Sequence, residues 1–120
     1  MNKLLISLTL IVFSVSIFSN GPKIAGSWKC HMFSEYAEQD SDFLFKPDSH
    51  YKKESNMFGS THIELGSWEV KGNNLILERR KYIKNDKEQD SNQVFNQEII
   101  SLTNAELLFK NGSSKTTCKK

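Results

Sequence analysis

The chain has 120 residues and a formal charge of +2, and 38% of its residues are hydrophobic, with two Trp among them. A balance this close to neutral supplies no basic stripe for a nucleic-acid partner. That apolar content excludes a disordered chain, and the length suits one domain.

Met1-Asn2-Lys3 is a short basic opening. Leu4 to Phe18 is apolar with interspersed Ser and Thr, and Ser19-Asn20-Gly21-Pro22 turns polar. That order is a secretory signal peptide. The apolar run falls short of the roughly 20 residues that a membrane-spanning helix needs. Ser16, Ser19 and Asn20 are candidate cleavage points; Ser19 is chosen because a small residue is favoured before the cut, which gives residues 1–19 as signal peptide and 20–120 as one exported domain. Cys30, the nearest cysteine, is too far downstream to serve as a lipoprotein anchor. The expected location is periplasmic or secreted, with no stable membrane anchor after cleavage.

The mature chain then reads as short strands, because apolar side chains recur with a period of two. Gly26 to Ser34 is the first, with Trp28, Cys30 and Met32 on one face. Glu35 to Asp42 is polar and reads as an exposed loop. Ser41 to Lys46 follows with Phe43 and Phe45 in phase, and Lys46-Pro47-Asp48-Ser49 is a hairpin turn. His50 to Met57 is the return strand; it is polar on both faces, which suits a short or edge strand. After the Phe58-Gly59-Ser60-Thr61 turn, Thr61 to Val70 carries Ile63 and Leu65 on one face. Trp68 and Val70 fall on the other, which predicts a bulge near Gly66.

Lys71-Gly72-Asn73-Asn74 is a hairpin turn. Leu75 to Lys84 follows, with Leu75 and Leu77 inward and Glu78, Arg80 and Tyr82 outward. Asn85 to Asn92 is uniformly polar and predicts a long hairpin loop. Gln93 to Thr103 is a strand with Val94, Ile100 and Leu102 on one face and Phe95 and Ile99 on the other. Glu106 to Lys110 comes next, with Leu107 and Phe109 in phase, then the Asn111-Gly112 turn, then Ser113 to Lys119.

About eight strands in a nearest-neighbour meander, with no helical period, give an all-β antiparallel sandwich or up-and-down barrel. The two cysteines, Cys30 and Cys118, lie in the first and last strands. An exported chain with two cysteines allows one disulfide; the rival is a pair of free thiols in a reducing cytosol. In a closed meander the first and last strands are neighbours, so a Cys30–Cys118 bond would seal the seam.

These residues resemble a known family. Gly26-Ser27-Trp28 before the first strand resembles the Gly-x-Trp signature of lipocalins. Phe45-Lys46-Pro47-Asp48-Ser49-His50-Tyr51 resembles the Phe-x-x-Asp-Gly-x-Tyr hairpin of short bacterial lipocalin-like domains, with Ser49 where that hairpin usually carries Gly. Gly66-Ser67-Trp68 with Gly72-Asn73-Asn74-Leu75-Ile76-Leu77 matches their Gly-x-Trp…Gly-Asn-x-Leu-x-Leu hairpin. Leu102-Thr103-Asn104-Ala105-Glu106-Leu107 looks like their late Leu-Ser-x-x-x-Leu turn. The resemblance spans most of residues 24–118 and implies a small calycin-type barrel. The chain is shorter than a full-size lipocalin and lacks a C-terminal helix pattern and a Thr-Asp-Tyr motif.

The candidate ligand-binding residues are Trp28, Phe43, Phe45, Leu65, Trp68, Leu77, Ile100 and Phe109. The same side chains are the ordinary core of a barrel filled by its own residues, with the two Trp as a plug. His31, His50 and His62 match no compact metal motif. Glu35, Glu38, Asp40 and Asp42 lack the order of a calcium loop, and Arg79-Arg80-Lys81, a candidate for an anionic ligand or polysaccharide, alternates across a strand and reads as a solvated outer face. The chain has no Gly-x-Ser-x-Gly elbow, phosphate loop or His-Glu-x-x-His, so no catalytic residue, metal or cofactor is assigned and an enzyme is not expected.

The expected function is therefore an exported binding protein. Its partner would be a small apolar or amphipathic ligand in the barrel mouth, with loops 35–42 and 85–92 as lids. The alternative is an exported protein-interaction module, an inhibitor or immunity-type barrel with a filled core. The sequence assigns no oligomeric state.

Overall fold

The computed structural model describes residues 23–120; the expected signal peptide lies outside them. Eight strands follow in chain order: β1 (Gly26–Phe33), β2 (Glu38–Phe45), β3 (His50–Met57), β4 (Ser60–Lys71), β5 (Asn74–Lys84), β6 (Lys87–Leu102), β7 (Glu106–Asn111) and β8 (Ser114–Lys119). Each pairs with the next and β8 pairs with β1, so the sheet closes on itself as an antiparallel barrel. Closure leaves no whole strand at an edge, which removes the hazard of an open sheet.

The seam falls where the cysteines predict. Cys30 stands directly opposite Cys118 in the β1–β8 register. The two are joined by a disulfide, their Cα atoms 4.0 Å apart. Both are buried, so the bond is part of the core.

The barrel has a closed end and an open end. At the closed end lie the start of β1, the chain terminus and the β2–β3, β4–β5 and β6–β7 connections. Ile24, Trp28, Phe45, Tyr51, Leu75 and Leu107 are almost fully buried there. The rings lock by aromatic contact: Phe45 meets Trp68 edge-on at 5.6 Å and stacks on Phe43 at 5.3 Å. Both indole N–H groups find acceptors in the connecting backbone, Trp28 donating to Ile24 O at 2.8 Å and Trp68 to Lys46 O at 2.9 Å. Buried indoles need such partners.

Gly66 is required by close approach. A Cβ there would come within 1.9 Å of the Glu78 carbonyl oxygen and 2.9 Å of the Tyr51 ring. Its absence lets the large ring of Tyr51 lie across β4.

Several sequence expectations change. Strand β3 lies between β2 and β4 rather than at an edge, with Tyr51 and Ser55 buried on its inner face. The predicted loop over 35–42 shrinks to Ser34–Ala37, because β2 begins at Glu38 and pairs with β1 as far as Phe33. The predicted loop over 85–92 is a two-residue turn, Asn85-Asp86, and β6 is paired from Lys87 onward. Both turn residues have positive φ, which Asn and Asp tolerate. Polar composition there marked a strand wetted on both faces, not a loop.

The phase near Gly66 also differs. The β4–β5 register does shift between Leu65 and Gly66, but the extra residue is Arg80 on β5. Strand β4 therefore keeps one phase throughout, with His62, Gly66 and Trp68 inward. Ile63 and Leu65 fall on the outer wall. The bulge at Arg80 lets both Arg79 and Tyr82 turn inward, so Tyr82 does not look outward as its parity predicted. The β5–β6 ladder also shifts between Arg79 and Lys81, and a shift between Ile99 and Ser101 in the β6–β7 ladder makes Ile100 the bulged residue. Ile100 is thrown outward, and Leu102 rejoins the core beside Ile99.

Candidate functional site: the open half of the barrel

Above the aromatic plug the interior changes character. Along each strand the inward phase passes from apolar to polar: Phe45 and Phe43 to Ser41 on β2, Tyr51 to Lys53 and Ser55 on β3, Trp68 to Glu64 and His62 on β4. On β5 it passes from Leu75 and Leu77 to Arg79 and Tyr82. Alternation puts these polar residues inside because a strand cannot change face without a bulge.

A cavity of about 200 Å³ occupies this level. Its floor is Phe43, Leu77 and Phe109, and its walls include Met32, Ser41, Lys53, Glu64, Phe95, Gln97 and Thr116. That volume is on the order of seven waters' share of liquid. The wall is low on one side: β6 meets β7 only from Glu98 onward, so the stretch from Lys87 to Gln97 has β5 as its one neighbour. The mouth thus extends down beside the β7–β8 turn.

Arg79 organises the wall. Its guanidinium lies 4.9 Å from the Tyr82 ring centre and 5.6 Å from that of Phe95. Its Nε donates to Ser91 Oγ at 2.9 Å, one terminal nitrogen to Glu64 Oε1 at 3.4 Å and the other to Gln93 Oε1. His62 hydrogen-bonds the Tyr82 hydroxyl. Such fork geometry, flanked by rings, fixes a guanidinium that a lysine would leave free to rotate.

Beneath this group the Tyr51 hydroxyl is buried without a hydrogen-bond partner among the described residues. Burial first, and the Glu64 charge second, hold its phenol well above the ordinary range. It is therefore a neutral donor at any physiological pH.

Lys53 stands opposite Glu64 in the β3–β4 register, and both line the cavity. The Lys53 ammonium nevertheless lies over the Phe43 ring, 5.5 Å from its centre. Glu64 pairs with Arg79 instead.

Larger hollows lie outside the barrel. One of about 730 Å³ runs over the outer wall past Lys29, His31, Asp40, Asp42 and Glu54; a second, of about 450 Å³, runs past Lys52, Lys119 and Lys120. Their charged walls are open to water. There His31 bonds Asp40 at 2.7 Å and lies 3.6 Å from Glu38. The three histidines sit in separate places: His50 is beside Asp48 at the β2–β3 turn, and His62 is inside.

The candidate ligand residues thus divide into three groups. Phe43, Leu77 and Phe109 form the cavity floor. Trp28, Phe45 and Trp68 lie below it in the plug. Leu65 and Ile100 are on the outer wall and touch neither cavity nor plug, because of the bulge placements described above. Lys53, Glu64 and Tyr82 are not among the expected lining residues, and Arg79, expected on a solvated outer face, is instead part-buried against Glu64 and Ser91 because of the bulge at Arg80. Counting back from Trp68 in steps of two without a phase change reaches Glu64, and counting forward from Tyr51 reaches Lys53. That simple parity was the available signal.

This geometry defines a lipocalin-like barrel: eight antiparallel strands in a closed meander, one end plugged by tryptophans and the other open. No protein-family model matches the chain, and a search of curated proteins finds no match. Among solved structures the chain is similar to a lipocalin-like protein from Bacteroides uniformis. The TM-score is 0.61 at 10% identity, over 82% of this chain and 98% of that one. Fold alone is shared at that identity.

Proposed function

We propose that this protein is an exported binding protein of lipocalin-like fold, taking a small amphipathic ligand in the open half of its barrel. One observation carries the reading: a cavity of about 200 Å³ inside the barrel, with an apolar floor and a few convergent polar groups. Ligand sites combine those two elements. Export is supported by the N-terminal pattern of residues 1–19 and by the disulfide, which persists in oxidising compartments. Residues 20–120 are the working domain of this reading. With the predicted lids reduced to short turns, access is through the low wall beside β6. No chemistry is assigned to the site, because it presents neither a paired acid and base nor an activated nucleophile.

A specific feature of the rim favours a second reading, a protein-interaction module. Phe58 is fully exposed at the β3–β4 turn with φ of 52°, and Tyr36 is 88% exposed in the neighbouring β1–β2 connection. A bulky residue in left-handed backbone is uncommon, and neither burial nor turn chemistry calls for Phe there.

Native mass spectrometry of protein purified gently from its own exported fraction separates the two. A reproducible small adduct is the expected result. A stoichiometric complex with a second protein, and no adduct, would replace the first reading by the second.

A further inference from the structure

We infer that the ligand is an anion: a small molecule with an apolar body on the Phe43–Leu77–Phe109 floor and a carboxylate-like head received by Lys53. This rests on the cavity reading above and names the chemistry that the cavity selects.

The argument begins with register. Lys53 and Glu64 are directly opposite on β3 and β4, on the same inner face. Opposite charges so placed ordinarily pair. Here the Glu64 carboxylate is committed to Arg79 at 3.4 Å, and Arg79 is held in turn by Ser91 and Gln93. Lys53 is left with no ion pair or hydrogen bond among the described residues, and its ammonium rests against an aromatic face. The contrast with the outer wall is direct. Lys52, the next residue, lies 3.8 Å from Glu54, and Lys110 lies 3.7 Å from Glu98, both in water where such pairs contribute little. Other lysines without an ion pair, such as Lys29 and Lys119, stand on the outer wall, whereas Lys53 lines the cavity.

The charge sum points the same way. Lys53 and Arg79 bring two positive charges to this level of the barrel and Glu64 one negative, which leaves an excess of one positive charge. Confining an unpaired cation between protein walls is unfavourable, and an anion entering there gains a charge-assisted hydrogen bond while removing that penalty. A cationic ligand would meet the excess positive charge; a neutral one would leave Lys53 unpaired. Geometry fixes the orientation. Phe43 stands directly opposite Lys53 in the β2–β3 register, and Leu77 and Phe109 complete the apolar floor, so a ligand resting its apolar body on that floor presents its head to the ammonium. The cavity volume restricts that body to a short alkyl chain or a single ring.

The test uses three probes of one length, octanoate, 1-octanol and octylammonium, titrated calorimetrically into the exported protein. Octanoate is expected to bind about ten-fold or more tightly than 1-octanol, with octylammonium weakest. Lys53→Met keeps the side-chain stem and should erase the margin of octanoate over 1-octanol. Lys53→Arg should retain most of the margin, and thermal melts of both variants should match the parent. Equal affinity for octanoate and 1-octanol, tighter octylammonium, or a margin that survives Lys53→Met would overturn the anion assignment while the cavity reading stands. Binding of none of the three would defeat the cavity reading and this inference together.

Discussion

The two halves of this barrel are built from the same strands and obey the same alternation, yet they face opposite ways in energy. In the closed half the inward positions of β1, β2, β4, β5 and β7 are aromatic, aliphatic or disulfide-bonded, with glycine only where a ring or the chain end needs the room, and the rings fill the bore. In the open half β2, β3, β4 and β5 turn Ser41, Lys53, Glu64, His62 and Arg79 inward, with a cavity beside Ser41, Lys53 and Glu64. A small domain gains its stability from buried apolar surface. The closed half supplies that, and the disulfide ties it shut. The open half contributes little to stability and retains polar groups that a stability-driven core would replace with Leu or Val. A division of labour follows: one end holds the fold, and the other is free to carry function.

Mutations sharpen the contrast. The largest effect is expected from opening the seam. Replacing Cys30 and Cys118 together by Ser removes a cross-link over 88 residues of sequence, worth about 4–5 kcal/mol in the chain-entropy model. Chemical denaturation should show that loss. An unchanged midpoint would show that the strand pairing alone closes the barrel.

Next come the two halves compared at one residue each. Phe45→Ala, in the plug, should cost about 3–5 kcal/mol, because a fully buried ring leaves a cavity. Lys53→Met, in the open half, should change stability by less than about 1 kcal/mol, since Met keeps the stem and only the 5.5 Å contact of the ammonium with the Phe43 ring is lost. Equal losses at the two positions would erase the proposed division.

Smaller gains are expected at two strained turns, one at each end. Ser49 has φ of 73° and Phe58 of 52°, a region that costs non-glycine residues about 1–2 kcal/mol. Ser49→Gly and Phe58→Asn should each raise stability, by about 0.5–1 kcal/mol after the extra backbone entropy of Gly is deducted. The Phe58 substitution carries a further discriminating readout. Loss of a protein partner on Phe58→Asn would show what the strain at the rim is kept for.

The smallest effect lies on the outer wall. The hydrogen bond to Asp40, assisted by the charges of Asp40 and Glu38, raises the His31 pKa above its ordinary value. A raised folded-state value means that the contact adds stability fully present below the unfolded pKa near 6.5. That stability is lost as the pH rises through the folded midpoint. NMR titration of the His31 ring should give a midpoint above the ordinary one, and Asp40→Asn should lower it. Ligand affinity should be indifferent to this change, because His31 is outside the barrel.

Much of the closed half was legible in the sequence. Trp28, Phe43, Phe45, Leu77, Leu107 and Phe109 announced themselves by apolar alternation, and the cysteines at the two ends of the meander marked the seam. The open half was not legible in the same way. Its inward side chains are polar, so period two carries no apolar signal there; β3 looked like an edge strand and the start of β6 like a loop. The bulges were also misplaced. A bulge at Gly66 was read from an apparent change of apolar phase, whereas the extra residue sits across the ladder at Arg80. Ile63 and Leu65 were simply apolar residues on an outer wall.

The sequence by itself determined the strand count, the meander, the plug and the cross-link, because apolar burial and turn chemistry act over a few residues and leave a periodic trace. Only the tertiary structure decided which polar residues share the interior. That depends on where each ladder gains an extra residue, and a single bulge reverses the facing of everything beyond it. Arg79 and Tyr82 both look inward because Arg80 is squeezed out between them, and Lys53 lacks a counter-ion because Arg79 reaches Glu64 first. Neither relation is local, and both rest on closing eight strands around one axis.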